Sequence, residues 1–454
     1  MTSPRDPDRL VRAFLDEGPT VLPDRSVQSV LGDIHRTRQR AVLGPWRTLP
    51  MPRTALAAVA VIAIAAIGGF AFWASRPSAP ITGHQPSGLP SPVASAPPTA
   101  GTPSPSSGVQ ATGTIAYAFY DKAAKANYLY AVAPDGTGKR KLTDTDSCCL
   151  TLSPDGRNVL YGQAGPDGRM TPKVIGIDGS APSQWDPPAG LNLAPRGWST
   201  KFDLAFEGWD DNRPSQNGVY LSIDNGGGLI WGTLKRLTTS PGGHHDIPLG
   251  FAPDGSKLVF LRDNSGDSVG QMGDLFVVGV DGSGLRQVNP PAIKVRMNDL
   301  FGVGASWSPD GLQIAFSGFD ASKGPGITAV YVVNAAAGAA TAISEPEDNF
   351  STSARWSTDG SRIAFDRATG GGANHDVWLV HPDGSGLTNT TRSVDAGVCC
   401  SQWSPDGSNL LMQGAVSDST VVDLWIVNAD GSSHSQLTAE PGEYKWYAWS
   451  PAVR

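Results

Sequence analysis

Catalytic signatures are missing from this 454-residue sequence. Its one match to the G-x-S-x-G pattern, GDSVG at residues 266–270, lies between two strand-like runs, whereas a nucleophile elbow lies between a strand and a helix. The sequence has no P-loop and no G-x-G-x-x-G between a strand and a helix, so the two nucleotide-binding folds are excluded. No spacing of Ser, His and Asp suggests a catalytic triad. We accordingly expect no enzymatic activity and no cofactor.

Basic charge is scarce beyond the N-terminus. The whole chain has a formal net charge of −7, and residues 1–53 hold nine Arg, no Lys and six acidic residues, a balance of +3. The remaining residues therefore carry −10. Because nucleic-acid phosphates require a basic surface, this acidic balance excludes nucleic acid as a partner.

Charge is absent altogether from Thr54–Ser75, a run of 22 mostly apolar residues. At about 1.5 Å per residue such a helix crosses a hydrocarbon core of about 30 Å. More than fifty residues precede it, too many for the basic region of a signal peptide. Five arginines lie between residues 36 and 53, so the positive-inside rule places the N-terminus in the cytoplasm. The sequence predicts a single-pass protein of the cell membrane.

The segments on either side of this predicted transmembrane helix differ in character. Residues 1–53 contain two short amphipathic stripes and too few apolar residues for a core, so they form a partly helical cytoplasmic segment. That segment lies at the membrane or docks a partner, or it is a loosely ordered basic tail. Residues 76–112 are rich in Pro and Ser and predict a disordered linker.

A turn of the Ser-Pro-Asp-Gly type recurs seven times after an aromatic or apolar residue. Proline presets φ, aspartate bonds backbone amides, and glycine supplies the left-handed position. The copies start at Leu152, Trp198, Phe251, Trp307, Trp356, Trp403 and Trp449. The turn residues to which we assign a structural role are Pro154, Asp155, Gly156, Pro253, Asp254, Gly255, Trp307, Pro309, Asp310, Gly311, Trp356, Asp359, Gly360, Trp403, Pro405, Asp406, Gly407 and Trp449.

The spacing of these turns, between 46 and 56 residues, is typical of a four-stranded propeller blade. Seven strands precede a turn copy, but the first repeat begins with its second strand and the chain ends on an unpaired first strand. Pairing Lys445–Ser450 with Gly113–Tyr120 removes both exposed edges. The sequence thus predicts an all-β, seven-bladed β-propeller over residues 113–454.

The WSPDG turns and the DG…LT segments resemble those of the TolB-like, WD-repeat-like β-propeller family. The resemblance covers about residues 113–454, and six of the seven copies are good; the copy at Trp198 lacks Pro-Asp-Gly. The resemblance implies a binding or scaffold module of the bacterial envelope, or an accessory domain of a peptidase. The recurrent tryptophans are expected to pack between neighbouring blades.

The four cysteines form two adjacent pairs, Cys148-Cys149 and Cys399-Cys400, each starting four residues before a turn copy. They are therefore expected to begin the innermost strands of two blades near the mouth of a central channel, oxidised outside the cell. The preferred interpretation is two vicinal disulfides. Disulfides between blades and a four-thiolate metal site are the alternatives, although adjacent cysteines differ from the usual Cys-x2-4-Cys ligand spacing.

Other polar residues are expected at the same mouth. His244, His245 and Asp246 are weak metal candidates, with a solvated loop as the simpler interpretation. A ring of acidic residues there would attract cations or basic peptides. Its members are Asp144, Asp146, Asp299, Glu345, Glu347, Asp348, Asp395, Glu440 and Glu443.

Three functions remain open at the level of the sequence. The leading hypothesis is a membrane-anchored extracytoplasmic propeller that binds a protein, peptide or saccharide as a scaffold module of a bacterial cell envelope. An alternative is a transmembrane sensor that signals to a cytoplasmic partner through residues 1–53. A further alternative is an enzyme acting on saccharide or peptide at the channel mouth.

Overall fold

The computed structural model describes residues 111–450 apart from short gaps at 166, 224–231, 264–271, 298–303, 324–327, 337, 345–348, 370–374, 393, 395, 417–421 and 441–442. The predicted cytoplasmic segment, the predicted transmembrane helix and nearly all of the predicted linker lie outside these residues. Within the described part of the chain, no helix is both long enough and apolar enough to span a membrane.

The described chain is built almost entirely from short β-strands. The strands of the first half are β1 (Thr114–Asp121), β2 (Ala126–Val132), β3 (Arg140–Lys141), β4 (Cys148–Leu152), β5 (Asn158–Ala164), β6 (Met170–Gly176), β7 (Ser183–Gln184), β8 (Asn192–Trp198), β9 (Leu204–Trp209), β10 (Gly218–Ile223), β11 (Thr233–Arg236), β12 (His245–Phe251), β13 (Lys257–Asp263), β14 (Met272–Gly279) and β15 (Arg286–Gln287). Two single-turn 3-10 helices, Pro214–Gln216 and Pro241–Gly243, flank β10 and β11.

The second half continues the same pattern. Its strands are β16 (Ile293–Arg296), β17 (Ala305–Trp307), β18 (Gln313–Asp320), β19 (Ala329–Asn334), β20 (Ala340–Ala342), β21 (Asn349–Trp356), β22 (Ile363–Thr369), β23 (His375–Val380), β24 (Thr388–Asn389), β25 (Ala396–Trp403), β26 (Asn409–Val416), β27 (Val422–Asn428), β28 (His434–Gln436) and β29 (Glu443–Ser450). The bands of apolar residues that the sequence shows after each turn copy form β5, β9, β13, β18, β22 and β26.

Hydrogen bonding joins the described strands into antiparallel sheets. Five sheets have four strands each: β4 to β7, β8 to β11, β21 to β24, β25 to β28, and β29 with β1 to β3. The sixth has nine strands, from β12 to β20, because the short strand β16 pairs with both β14 and β18. Seven separate sheets were expected, and β16 fuses two of them because it lies in the connection between two repeats.

The last strand pairs with the first, as the sequence predicts. In this antiparallel pair Thr114 lies opposite Ser450 and Tyr120 opposite Glu443. The indole N–H of Trp449 donates to the backbone carbonyl of Thr112 at 2.9 Å, which secures the entry to β1. The pairing covers the edge that each strand would otherwise expose.

The repeated turn owes its shape to local hydrogen bonds. In the first copy, the Ser153 hydroxyl donates to Asp155 Oδ1 at 2.6 Å and Gly156 adopts φ +70°. The serine-aspartate contact recurs at 2.5–2.6 Å in the copies after Trp307, Trp356 and Trp403. The divergent copy after Trp198 still turns, because Phe202 takes the left-handed position at φ +67°. Local bonding therefore preserves the turn without Pro-Asp-Gly.

The strands that precede the repeated turns are called the inner strands here: β4, β8, β12, β17, β21, β25 and β29. Each contacts the next in chain order, and β29 also contacts β4. The indole N–H of Trp403 donates to the carbonyl of Arg355, one repeat earlier, and that of Trp307 donates to the carbonyl of Gly250. These tryptophans thus join adjacent repeats, as the sequence suggests.

Candidate functional site

A backbone irregularity recurs along the inner strands. The pairing of β4, β8, β12, β21, β25 and β29 with its neighbour shifts by a β-bulge in the middle of the strand. Cys149, Ser353, Cys400 and Trp446 have positive φ there, each three residues before the aromatic or apolar residue of the turn copy. Bulges re-aim side chains, and they are frequent next to functional sites. Nothing in the sequence indicated them.

Both cysteine pairs lie at these bulges. The structure joins Cys148 to Cys149 and Cys399 to Cys400, and the Cα atoms within each pair are 3.8 Å apart. The pairing is the vicinal one; the structure contains no bond between the two pairs, and β29 lies between β4 and β25. Cys148 begins β4 as expected, whereas Cys399-Cys400 lies inside β25, which begins three residues earlier.

The backbone of Cys400 is held from two neighbouring sheets. Its N–H donates to Asp366 Oδ2 on β22 at 2.8 Å. Its carbonyl accepts the Tyr447 hydroxyl of β29 at 2.6 Å. Gln402 adds a third link, because its side-chain amide donates to the Tyr447 carbonyl at 2.6 Å. The β25 bulge that contains Cys399 and Cys400 therefore joins three consecutive sheets, those of β22, β25 and β29.

Asp366 has a buried carboxyl group with a raised pKa. Its side chain is 1% exposed. Burial raises the pKa of Asp366 to about 7, against the opposing effect of the Ser353 hydroxyl and of the amides of Cys400 and Ser401. The nearby Arg355 guanidinium, itself buried, also favours the ionised form of Asp366, but this effect is smaller than that of burial. The acid form is thus populated near neutral pH.

The three weak metal candidates do not converge. Asp246 is fully buried, accepts Arg262 Nε at 2.7 Å and accepts the Thr238 hydroxyl at 2.6 Å. His245, the adjacent residue on β12, instead contacts Glu207. Successive strand residues point to opposite faces, which explains the separation. Among the described residues, no group of three or more His, Cys, Asp and Glu side chains is placed to hold a metal ion.

Glu207 organises a second polar cluster, which we name the Glu207 cluster, consisting of Arg196, Glu207 and His245. Glu207 Oε1 lies 2.7 Å from His245 Nδ1, and Arg196 bonds Oε2 through Nε, at 3.1 Å, and through Nη2. Arg196 is the extra residue of the β8 bulge, Glu207 lies on β9 and His245 begins β12. The sequence did not single out Arg196 or Glu207. The acidic residue within the apolar run LAFEG was the available signal.

Charge within the Glu207 cluster is mutually stabilised. The hydrogen bond to Glu207 raises the pKa of His245 despite its partial burial, and the nearby Asp263 acts in the same direction. Burial of Glu207 opposes its ionised form, but Arg196 and His245 together hold its pKa below the ordinary value. The Trp209 ring lies 6.0 Å from the His245 ring, centroid to centroid. The cluster thus combines the nitrogen atoms of Arg196 and His245 with an aromatic face.

The acidic residues expected at the mouth are largely paired where they are described. Glu440 contacts Lys139 at 2.5 Å, Asp144 contacts Lys141 at 3.1 Å, and Glu443 contacts Lys445 at 3.4 Å. Asp146 accepts the backbone N–H of Asn127 at 2.7 Å. The other five lie outside the described residues: Asp299, Glu345, Glu347, Asp348 and Asp395. The four described acids therefore do not form an unpaired anionic ring.

Two surface cavities lie elsewhere. One, of about 460 Å³, is lined by the repeated turns after Trp356 and Trp403, at the far end of the inner strands. The other, of about 620 Å³, lies along the β5–β6 hairpin. Both are lined mainly by short polar and charged side chains that bond one another, such as Ser361 with Asp359 and Arg169 with Asp167.

We place the candidate site at the Glu207 cluster and the neighbouring inner-strand bulges.

These repeated sheets, with inner strands in mutual contact, define the β-propeller class. Residues 232–453 match the TolB beta propeller domain family, so this region is similar to TolB-like β-propellers. No functionally curated protein matches the sequence.

Several solved structures share the fold at low identity. A puromycin hydrolase is 15% identical with a TM-score of 0.54, covering 73% of this chain and 53% of that one. The β-propeller domain of the trilobed protease from Pyrococcus furiosus, which has an open velcro topology, is 10% identical with a TM-score of 0.52, covering 73% and 93%. TolB from Acinetobacter baumannii is 17% identical with a TM-score of 0.46, covering 75% and 67%. The present chain spans about half the length of the puromycin hydrolase.

Proposed function

We propose that this chain is a membrane-anchored, extracytoplasmic propeller of seven blades that binds a protein or peptide of a bacterial cell envelope. The observation that carries the proposal is the match of residues 232–453 to the TolB beta propeller domain family, whose members generally bind proteins. The uncharged run Thr54–Ser75, with its arginine-rich N-terminal flank, supports the anchor and its orientation.

The count of seven blades is part of the proposal. The nine-stranded sheet contains two units of a propeller blade, β12 to β15 and β17 to β20, linked by β16. Together with the five four-stranded sheets they make seven. The contacts that run from each inner strand to the next, and from β29 to β4, support a closed ring.

Topology is tested by protease accessibility on intact cells and on lysed cells. We expect digestion of residues 113–454 from outside intact cells, with an N-terminal fragment protected until the membrane is opened. Protection of residues 113–454 in intact cells would refute the topology.

Binding is tested by photo-crosslinking in cells. A crosslinking amino acid at His244, beside the candidate site, is expected to capture a discrete envelope protein. The control position is Leu312, which is 61% exposed in a turn at the opposite end of the inner strands. Equal capture at both positions, or capture at neither, would contradict a binding surface at this end.

An enzyme acting on peptide or saccharide is a second candidate function. The observation that favours it is the His245–Glu207 pair, since a carboxylate that holds a histidine ring is a common arrangement for proton transfer. Incubation of the purified chain with peptide and oligosaccharide mixtures tests this candidate. Turnover that is lost in H245Q would support it, and absence of turnover in the native chain would remove it.

A further inference from the structure

We propose that the Glu207 cluster is a subsite that binds a carboxylate group of the peptide or protein ligand. This inference rests on the proposed binding function and specifies which chemical group is recognised. Its basis is the placement of Arg196 and His245 around one buried acid, with Arg196 Nη1 and His245 Nε2 outside the contacts to that acid.

The cluster is assembled across two sheets. Arg196 and Glu207 belong to the sheet of β8 to β11, whereas His245 begins the first strand of the nine-stranded sheet. The β8 bulge places Arg196 between Pro195 and Gly197 without a partner residue in the strand register. The subsite therefore lies in the seam between adjacent repeats, where the strand contacts hold both sides together.

The three side chains differ in solvent exposure, which increases from Glu207 through Arg196 to His245. Glu207 is 6% exposed, Arg196 18% and His245 39%. The buried acid orients the two outer groups, while the outer groups reach solvent. Such an order matches a binding subsite, in which a fixed inner group presents donors to a ligand.

Arg196 and His245 each keep a nitrogen that Glu207 does not use. His245 faces Glu207 through Nδ1, so Nε2 lies on the other side of the ring, where it donates an N–H when the ring is protonated. Arg196 uses Nε and Nη2, and its Nη1 takes no part in the contact. A carboxylate accepts two N–H donors, and charge-assisted bonds of this kind are the strong ones.

Direct donation, rather than long-range attraction, must supply the affinity. The residues beyond position 53 carry a net charge of −10, and Asp263 lies opposite His245 in the β12–β13 register. An anion is therefore repelled at a distance and held only where Arg196 and His245 contact it. The ring of Trp209, beside His245, provides an apolar face for the part of the ligand that carries the carboxylate.

The test follows the histidine ring signals of the purified full-length chain by NMR. The probe is glutarate, and its neutral diamide, glutaramide, is the matched control. We expect a saturable shift of the His245 signal, assigned with H245Q, for glutarate alone. The His434 signal serves as an internal reference, because that ring lies 6.0 Å from Trp425, as His245 does from Trp209. No shift of His245, or an equal shift with glutaramide or chloride, would overturn the proposal.

Variants separate the subsite from general surface charge. R196Q is expected to weaken glutarate binding at least about tenfold, which corresponds to about 1.4 kcal/mol, since it removes a charge-assisted donor. R213Q is the control, because Arg213 pairs with Asp210 at 2.8 Å in the connection between β9 and β10, outside the cluster. Equal loss in both variants would refute the assignment. If R196Q fails to fold, the comparison of glutarate with glutaramide on the native chain still decides.

Two peptides identify the source of the carboxylate. One has neutral side chains and a free C-terminus; the other contains Glu and is amidated at its C-terminus. A His245 shift with the first assigns a terminal carboxylate, and a shift with the second assigns an acidic side chain. A shift with glutarate but with neither peptide would overturn the assignment to a peptide ligand. Photo-crosslinking at His244 that persists without any carboxylate effect would overturn this subsite and leave the binding function intact.

Discussion

Substitution of Asp366 by Asn should make the protein more stable at alkaline pH than the native chain. Asp366 is 1% exposed, and burial raises its pKa from 3.8 to about 7. A carboxyl whose folded-state pKa is raised stabilises the fold fully below its unfolded pKa, near 3.8. That contribution is lost as pH rises through about 7 and stays absent above it.

The size of the effect follows from the two pKa values. A difference of about 3 in pKa, at about 1.4 kcal/mol for each unit, corresponds to about 4 kcal/mol as an upper bound. Asparagine keeps an oxygen that accepts the Cys400 N–H, which Asp366 binds at 2.8 Å, but it carries no charge. Between pH 4 and pH 8, the unfolding free energy of D366N should therefore rise relative to that of the native chain by up to about 4 kcal/mol.

Urea denaturation of both proteins between pH 4 and pH 9, without reductant, measures this difference. D359N is the matched control, because Asp359 lies exposed in a repeated turn and its hydrogen bonds with Ser357 and Ser361 lower its pKa to about 2. The effect of D359N should therefore be nearly constant above about pH 5, since that carboxyl is then ionised in both the folded and the unfolded state. Parallel pH profiles for D366N and the native chain would refute the reasoning.

Three further predictions concern the disulfides, the bulge and the ring closure. Mass spectrometry without reduction should find each cysteine linked to its chain neighbour, and a peptide that crosslinks residues 148–149 to 399–400 would contradict this. Y447F should destabilise the fold by about 1 kcal/mol in urea denaturation, because the Cys400 carbonyl loses a donor at 2.6 Å; no change would contradict the proposed linkage of three sheets. Replacing Trp449, 8% exposed, by Ala should cost about 3–5 kcal/mol in the same assay, whereas a cost below about 1 kcal/mol would mean that the β29–β1 closure contributes little.

The sequence predicted the elements that depend on neighbouring residues. The serine-aspartate-glycine turns form as expected because their hydrogen bonds span only a few positions, as in Ser153 with Asp155. The pairing of β29 with β1 was also predictable. Counting the copies leaves the N-terminal repeat without a first strand and leaves one first-type strand unpaired at the C-terminus. The copy after Trp198 forms its turn even without Pro-Asp-Gly, because Phe202 adopts the left-handed conformation that glycine usually adopts.

The candidate site was predictable only in part. The sequence drew attention to His245 through its neighbours His244 and Asp246, but it suggested a shared ligand, whereas β12 sends His245 and Asp246 to different partners. It placed the cysteine pairs near the start of inner strands and gave no sign of the bulges in which they lie. A bulge adds one residue to one strand, and its position depends on the partner strand.

Local turn chemistry and repeat spacing, written in the sequence alone, determined the all-β class, the number of repeats and the closing strand. Tertiary structure decided which side chains meet. Glu207 and His245 are 38 residues apart, and their contact depends on the register of two strands and on how two sheets pack. It also decided that β16 joins two repeats and that Asp366 is buried with a pKa of about 7. Burial and strand register are properties of the assembled sheets, and no short stretch of sequence contains them.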